Sequence, residues 1–300
     1  AGWSDSFDYA TNPNAKFYGP QETITVPNGT TANGLSLYAV WIKSEGSLQD
    51  TDKVASVCNS LTTAPTDGTA NLTSVSALTD QRDNNTYAIA KLADGNCWMI
   101  ENLRLDDSAQ INSSNTNNPS SSFTKLAAPQ DPTLMPWCSE ADSSCINQSL
   151  LAVNNTLNRA EYPGSGSNTY SYGNYYNWYS ATAGNGTTST ISGPVSGDIC
   201  PRGWHIPNGR VELGALNEAI NDGSAVSDKG LRRYPGNFTR AGYLETNMIS
   251  GRTAFGYYWS SASSTESRAI NLAFDGTRVL SGNGAGLKTL GHTVRCLADK

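Results

Sequence analysis

Long apolar runs are missing from this chain. No stretch approaches the ~20 apolar residues that a membrane-spanning helix needs, so direct membrane insertion by these residues is not expected. Histidine is nearly absent: His205 and His292 are the only two, and the six cysteines contain no C-x-x-C pair, so a zinc site of Cys and His ligands has no support. Asp and Glu are scattered without a calcium-loop pattern. No G-x-S-x-G elbow occurs, and Gly282 to Thr289 fails as a phosphate loop because its lysine does not follow a glycine and no helix pattern comes next. Charged residues are only 15% of the chain and the net charge is -6, which gives no electrostatic case for nucleic acid or anionic lipid. No catalytic residue, metal ligand or cofactor is therefore assigned, and an enzyme is not expected.

In place of charge the chain has abundant Ser, Thr, Asn and Gly. An even number of cysteines in such a background points to disulfides in an oxidising, extracellular setting. Many pairings are open, among them a local Cys138–Cys145 loop and a long Cys200–Cys296 staple. Three hundred residues suggest about two domains. The chain opens at Ala1 with neither Met nor a signal peptide, as a processed or excised piece would.

Residues 1–46 read as a small β unit, with aromatic and branched residues between turn clusters such as Asn12-Pro13-Asn14 and Pro27-Asn28-Gly29. Its segments Ala1-Gly2-Trp3, Ile24-Thr25-Val26 and Leu35 to Trp41 resemble the internalin-B-type B-repeat of bacterial surface proteins, which implies a partial extracellular spacer. A linker follows. Then Asp50 or Thr51 is placed to cap a helix over Lys53 to Leu61, with Val54, Val57, Cys58 and Leu61 on one stripe. Strands are expected at Val75 to Thr79, Tyr87 to Leu92 and Cys97 to Ile100. Ser108 to Ser122 reads as a mobile surface loop. Ile146, Leu150, Leu151 and Leu157 make at best a weak helical pattern. The aromatic run Tyr170 to Tyr179 is assigned to the core rather than to a recognition surface. Asn208 is placed to cap a helix bearing Leu213, Leu216 and Ile220 on one face. His205 before it reads as a histidine bonded into a turn, and His292 as a surface residue.

Four motifs carry a second resemblance. Asp80 to Leu105 (DQRDNNTYAIAKLADGNCWMIENLRL), Cys200 to Pro207 (CPRGWHIP), Tyr258-Trp259-Ser260-Ser261 and Val294-Arg295-Cys296 together resemble FISUMP-type domains over about residues 75–297. That resemblance implies a C-type-lectin-like fold, so the whole reads as an α+β protein: a B-repeat-like β spacer at 1–46 and a ligand-binding domain at 47–300. The Glu-Pro-Asn, Gln-Pro-Asp and Trp-Asn-Asp motifs of calcium-dependent sugar binders do not occur.

The stretch Gly256 to Cys296 draws the functional expectation. Ile270, Leu272 and Phe274 alternate with Asn271 and Ala273, and Asp275-Gly276 supplies a tight turn, which sets Phe274 opposite Thr277 and Leu272 opposite Val279. A third strand is expected over His292 to Leu297. The ending also resembles the variable region of retroelement-diversified proteins, in which an apolar frame holds a changing surface. Here the frame is Trp259, Ala269, Leu272, Phe274, Val279, Gly291, Val294 and Cys296. The ligand-binding candidates are Tyr257, Tyr258, Ser263, Thr265, Ser267, Asn271, Asp275, Arg278, Asn283, Lys288 and His292. The expected partner is a protein or glycan on another cell or surface, met by an adhesin or receptor attached to its own cell surface. Two alternatives stand beside it: an enzyme of the formylglycine-generating type, which needs reactive cysteines, and a structural surface-layer module without a ligand.

Overall fold

The computed structural model describes residues 2–4, 17–18, 37–40, 44–64, 66, 74–105, 109–121, 123, 172–186, 193–245 and 248–300. The expectations for Ile24 to Val26, Cys138, Cys145 and the pattern from Ile146 to Leu157 lie outside them. Strands β1 (Gly2–Ser4), β2 (Phe17–Tyr18) and β3 (Tyr38–Val40) form an antiparallel sheet in the order β2-β1-β3. Helix α1 (Thr51–Ser60) starts as its sequence dictates: the Asp50 carboxylate accepts from the Lys53 amide at 3.0 Å. Its stripe of Val54 and Val57 is buried, Leu61 follows it inward, and Cys58 is bonded to Cys97.

The largest sheet is built from β4 (Val75–Thr79), β5 (Thr86–Lys91), β6 (Cys97–Met99), β8 (Trp204–His205) and β14 (Leu297–Ala298), in the order β4-β5-β6-β14-β8. The end of the chain thus enters the sheet between two much earlier strands. The expected third strand of the C-terminal segment is corrected by this pairing. Leu297 bonds to Trp98 and His205 rather than to the hairpin, and residues 291–293 make only single bridges. The Cys200–Cys296 disulfide closes the same corner across a separation of 96 residues.

Between β6 and β8 stand helix α2 (Trp178–Ala181) and strand β7 (Gly193–Pro194). After β8 a π-helical turn, Gly209–Leu213, runs into α3 (Gly214–Asn221), and α4 (Lys229–Arg232) follows. Asn208 occupies the cap position without a side-chain bond. Glu212 supplies the cap instead, accepting from the Asn208 amide at 2.6 Å. A small pair, β9 (Tyr243–Glu245) and β10 (Met248–Ser250), precedes the hairpin strands β11 (Gly256–Ser263), β12 (Arg268–Phe274) and β13 (Val279–Leu287). With β7 these make the sheet β13-β12-β11-β7, and the class is mixed α+β, mostly β.

The hairpin turn is longer than the sequence suggests. Phe274 pairs with Val279 and Leu272 with Ser281, so the connection spans residues 275–278. The slip is two residues, an even number, so Val279 and Leu280 keep their expected faces, while Thr277 and Arg278 leave the ladder for the turn. Leu272, Phe274, Val279 and Tyr258 accordingly pack in one cluster with Leu213, Leu216, Ile220 and Phe238. The opposite face is also covered: Trp259 and Ala269 join Tyr176 and Trp178 in a second cluster. Two indoles pin that layer, Trp259 Nε1 donating to the Tyr176 carbonyl at 2.7 Å and Trp178 Nε1 to the Ser260 carbonyl at 3.0 Å. The aromatic run is core, as expected: Tyr172, Tyr175, Tyr176, Trp178 and Tyr179 are all buried. The Ser/Asn run after Ser108 is not a loose loop. Ala109, Ile111 and Thr116 are buried, and the Asn117 amide donates to the Cys200 carbonyl at 3.0 Å.

The motif residues hold this scaffold together. Arg82 and Asp80 form a fully buried pair at 2.6 Å, in which the charge and hydrogen bonds of Arg82 outweigh burial and hold the Asp80 carboxyl below its usual range. Arg82 also donates to the Ile199 carbonyl at 2.6 Å. Arg295 donates to Asn102 Oδ1 at 2.7 Å and to the carbonyls of Gly236 and Asn237, with its guanidinium over the Phe238 ring. Motifs nearly two hundred residues apart therefore meet in one buried network.

Candidate functional site

His205 sits in the most distinctive motif and is held between two carboxylates. Its Nδ1 meets Asp299 at 2.6 Å and its Nε2 meets Glu212 at 3.1 Å. Burial pulls its proton affinity down, but these two carboxylates push it up to about 10, so the imidazolium ties the chain end to the helical turn. Among the described residues no group of three or more His, Cys, Asp and Glu side chains is arranged to hold a metal ion.

The eleven candidates of the C-terminal segment divide sharply. Five expected on the surface are buried: Tyr258, Ser263, Asn271, Lys288 and His292. Tyr258 is buried on the apolar face with Leu272 and Phe274, while Asn271, Lys288 and His292 are buried against the Trp178 and Trp259 layer of the second. Asn271 lies opposite Trp259 in the β11–β12 register and under Gly284, where a Cβ would collide with its Oδ1. The Tyr258 hydroxyl accepts from the Thr239 amide at 2.7 Å, and the Lys288 ammonium stands 4.6 Å from the centre of the Trp178 ring. The frame residues are buried as expected.

The other six lie on the rim. Thr265 and Ser267 are exposed in the turn between β11 and β12, at the opposite end of β12 from residues 275–278. Seven residues of strand set these two ends roughly 20 Å apart. Asn283 is exposed for a local reason. Leu272 pairs with Ser281 but Asn271 with Gly284, so Gly282 and Asn283 form a bulge. Gly282 has φ +75° and presses on the backbone of Gly209 and Arg210, a place no side chain fits.

Tyr257, Asp275 and Arg278 lie at one end of the hairpin, Tyr257 pairing with Ala273 two residues before the turn that holds the other two. Partial burial raises the Tyr257 phenol above its ordinary value; Tyr243 and Asp275 add to this, and Arg278 opposes it. Arg278 Nη2 stands 3.9 Å from Asp275 Oδ2, and its side chain is 60% exposed. Hydrogen bonds from Thr277 hold the Asp275 carboxyl below its usual range and lock the turn. Two aromatic neighbours were not in the expected set. Tyr243 lies edge-on to Tyr257 at 5.5 Å, and Phe255 is 6.1 Å from it. The Tyr243-Leu244-Glu245 alternation and Phe255 one residue before β11 were the available signals.

Arg240 supports this turn from below. It donates to Asp228 at 2.8 and 3.0 Å, and a Cβ at Gly276 (φ +86°) would run into its guanidinium. Beneath Tyr257 the stack continues inward to His292 at 5.1 Å and from His292 to Trp259 at 3.9 Å. The face is thus an aromatic group with a compensated ion pair, set on a buried column.

Residues 93–234 match the family model described as the Fibrobacter succinogenes major domain. That stretch contains the Trp98 to Leu103 and Cys200 to Pro207 motifs, and it stops short of strands β11 to β13, so the match is narrower than the 75–297 span the motifs suggested. No curated protein and no solved structure matches the chain. The family match is consistent with a surface protein, and the two disulfides among the described residues fit an oxidising, extracellular setting. Among the described residues, no helix is long and apolar enough to cross a membrane.

Proposed function

We propose that this chain is a cell-surface-attached adhesin or receptor that presents a ligand-binding face on a C-type-lectin-like scaffold, and that it is not an enzyme. The observation that carries this reading is the placement of Tyr257, Asp275 and Arg278 at one end of a hairpin in which Tyr258, Trp259, Asn271 and Leu272 are buried. A site built in this way offers contact area and hydrogen bonds at little ordering cost, because the ring is already held from below. The exposed turn and bulge positions, Thr265, Ser267, Thr277, Arg278 and Asn283, together with the half-buried Asp275, are those at which a retroelement-diversified protein would vary.

The test uses the purified chain and intact cells from its source community. Binding should saturate, and Tyr257→Phe combined with Arg278→Glu should weaken it at least tenfold, with Tm moving by no more than about 2 °C. Saturable binding that ignores both substitutions would move the site elsewhere. An absence of any saturable binding would leave the structural-module reading. For the enzymatic alternative, four of the six cysteines are closed in disulfides. A reactive thiol at Cys138 or Cys145, detected by alkylation of the folded protein, would reopen it.

A further inference from the structure

His292 is buried to 1% exposure, with its ring stacked between Trp259 and Tyr257. Its Nδ1 has no hydrogen-bond partner, and neither does the neighbouring Asn271 Oδ1. Glycine is required above it: a Cβ on Gly286 would lie 2.6 Å from His292 Cε1 and 3.0 Å from Asn271 Nδ2. The residues flanking this ring tie three parts of the structure together. Gly291 bridges Leu244, His292 bridges Tyr176, and Thr293 bridges Tyr258, while the Thr293 hydroxyl donates to the Tyr257 carbonyl at 2.7 Å.

We propose that His292 is an acid-operated latch beneath the aromatic face: when its ring takes a proton, residues 291–293 leave the interior and Tyr257 loses the ring it stacks on, while the disulfide-closed sheet stays folded. Because that face is the binding face proposed above, acid would release what it holds.

In the folded form no group among the described residues accepts a hydrogen bond from His292 Nδ1. From β11 the neighbours are Tyr257 and Trp259; from the facing segment Tyr176, whose hydroxyl is turned away to accept from the Leu105 amide; from β12 Asn271. From β13 they are Gly286 and, beyond it, Lys288, a cation. Next to Leu244 on β9 stand Tyr243, whose ring meets Tyr257, and the exposed Glu245. Among the described residues no carboxylate is hydrogen-bonded to the ring, in contrast to His205 with its two. Burial accordingly pushes His292 down to about 3. The folded form refuses a proton that the opened form accepts, so stability at this latch is complete above pH ~6.5 and declines as pH falls.

The test needs no ligand, and so can fail without touching the binding proposal, just as a failure of binding would leave the latch standing. Amide hydrogen exchange of the intact chain is measured at pH 7.5 and 4.5 and corrected for intrinsic rates. The opening constant of Gly291, His292, Thr293 and Trp259 should rise roughly a hundredfold, with the β4–β5 amides unchanged. His292→Phe keeps a stacked ring without the proton and should abolish the rise; His292→Asn provides the same control if phenylalanine does not fold. A rise below threefold, a rise shared equally by β4–β5, or a full rise in either folded variant would overturn the latch.

Discussion

The sheet β4-β5-β6-β14-β8 and the sheet β13-β12-β11-β7 use polar side chains for opposite ends. The first is closed by Cys58–Cys97 and Cys200–Cys296 and flanked by the buried Asp80–Arg82 pair, with its charged motif residues consumed in bonds. Among the described residues, no disulfide reaches the strands of the second. Its interior is fastened by indole N–H bonds and ring stacks, and its charges are left at the turns. The difference separates where the chain invests in persistence from where it tolerates substitution. Motif conspicuousness marks the first region and function is proposed for the second.

Breaking the comparison is most severe at the closed sheet. Replacing Cys200 and Cys296 together should remove about 4–5 kcal/mol on the chain-entropy model, measured by denaturant unfolding. Arg82→Ala should cost about 3–5 kcal/mol because it strands the Asp80 carboxylate in the interior, and Asp80→Asn should cost less. At the other extreme, Thr265→Ala with Ser267→Ala should stay within about 0.5 kcal/mol. A loss of several kcal/mol there would erase the contrast.

Much of the scaffold is legible in the sequence. The cap at Asp50, the stripe on α1, the period-two alternation of β12 and the core role of the tyrosine run all follow from local pattern. What local pattern misses is who covers the second face. Asn271, Lys288 and His292 look like surface residues because their side chains are polar and the hairpin seems to need one wet side. The covering layer comes from Tyr176 and Trp178, roughly a hundred residues earlier, and from the 291–293 bridges. A polar residue buried by a distant segment leaves no periodic trace. The turn is a smaller case: Asp275-Gly276 suits a two-residue connection, but Arg240 and Asp228 beneath Gly276 go with a four-residue one. Tyr257, Asp275 and Arg278 were legible individually; their placement at one end of the hairpin was not.

The partition of the hairpin into a covered column and an exposed rim is tested most directly by covalent footprinting of the native chain. Hydroxyl-radical and amine- or imidazole-directed labels, read residue by residue by mass spectrometry, should modify Tyr257 and Thr265 while sparing Tyr258, Lys288 and His292. Arg278 should react as an exposed guanidinium. Labelling of Lys288 and His292 at the rate of the rim residues would contradict the account, because the second face would then be open to solvent and the binding face would have to be redrawn across the whole ribbon.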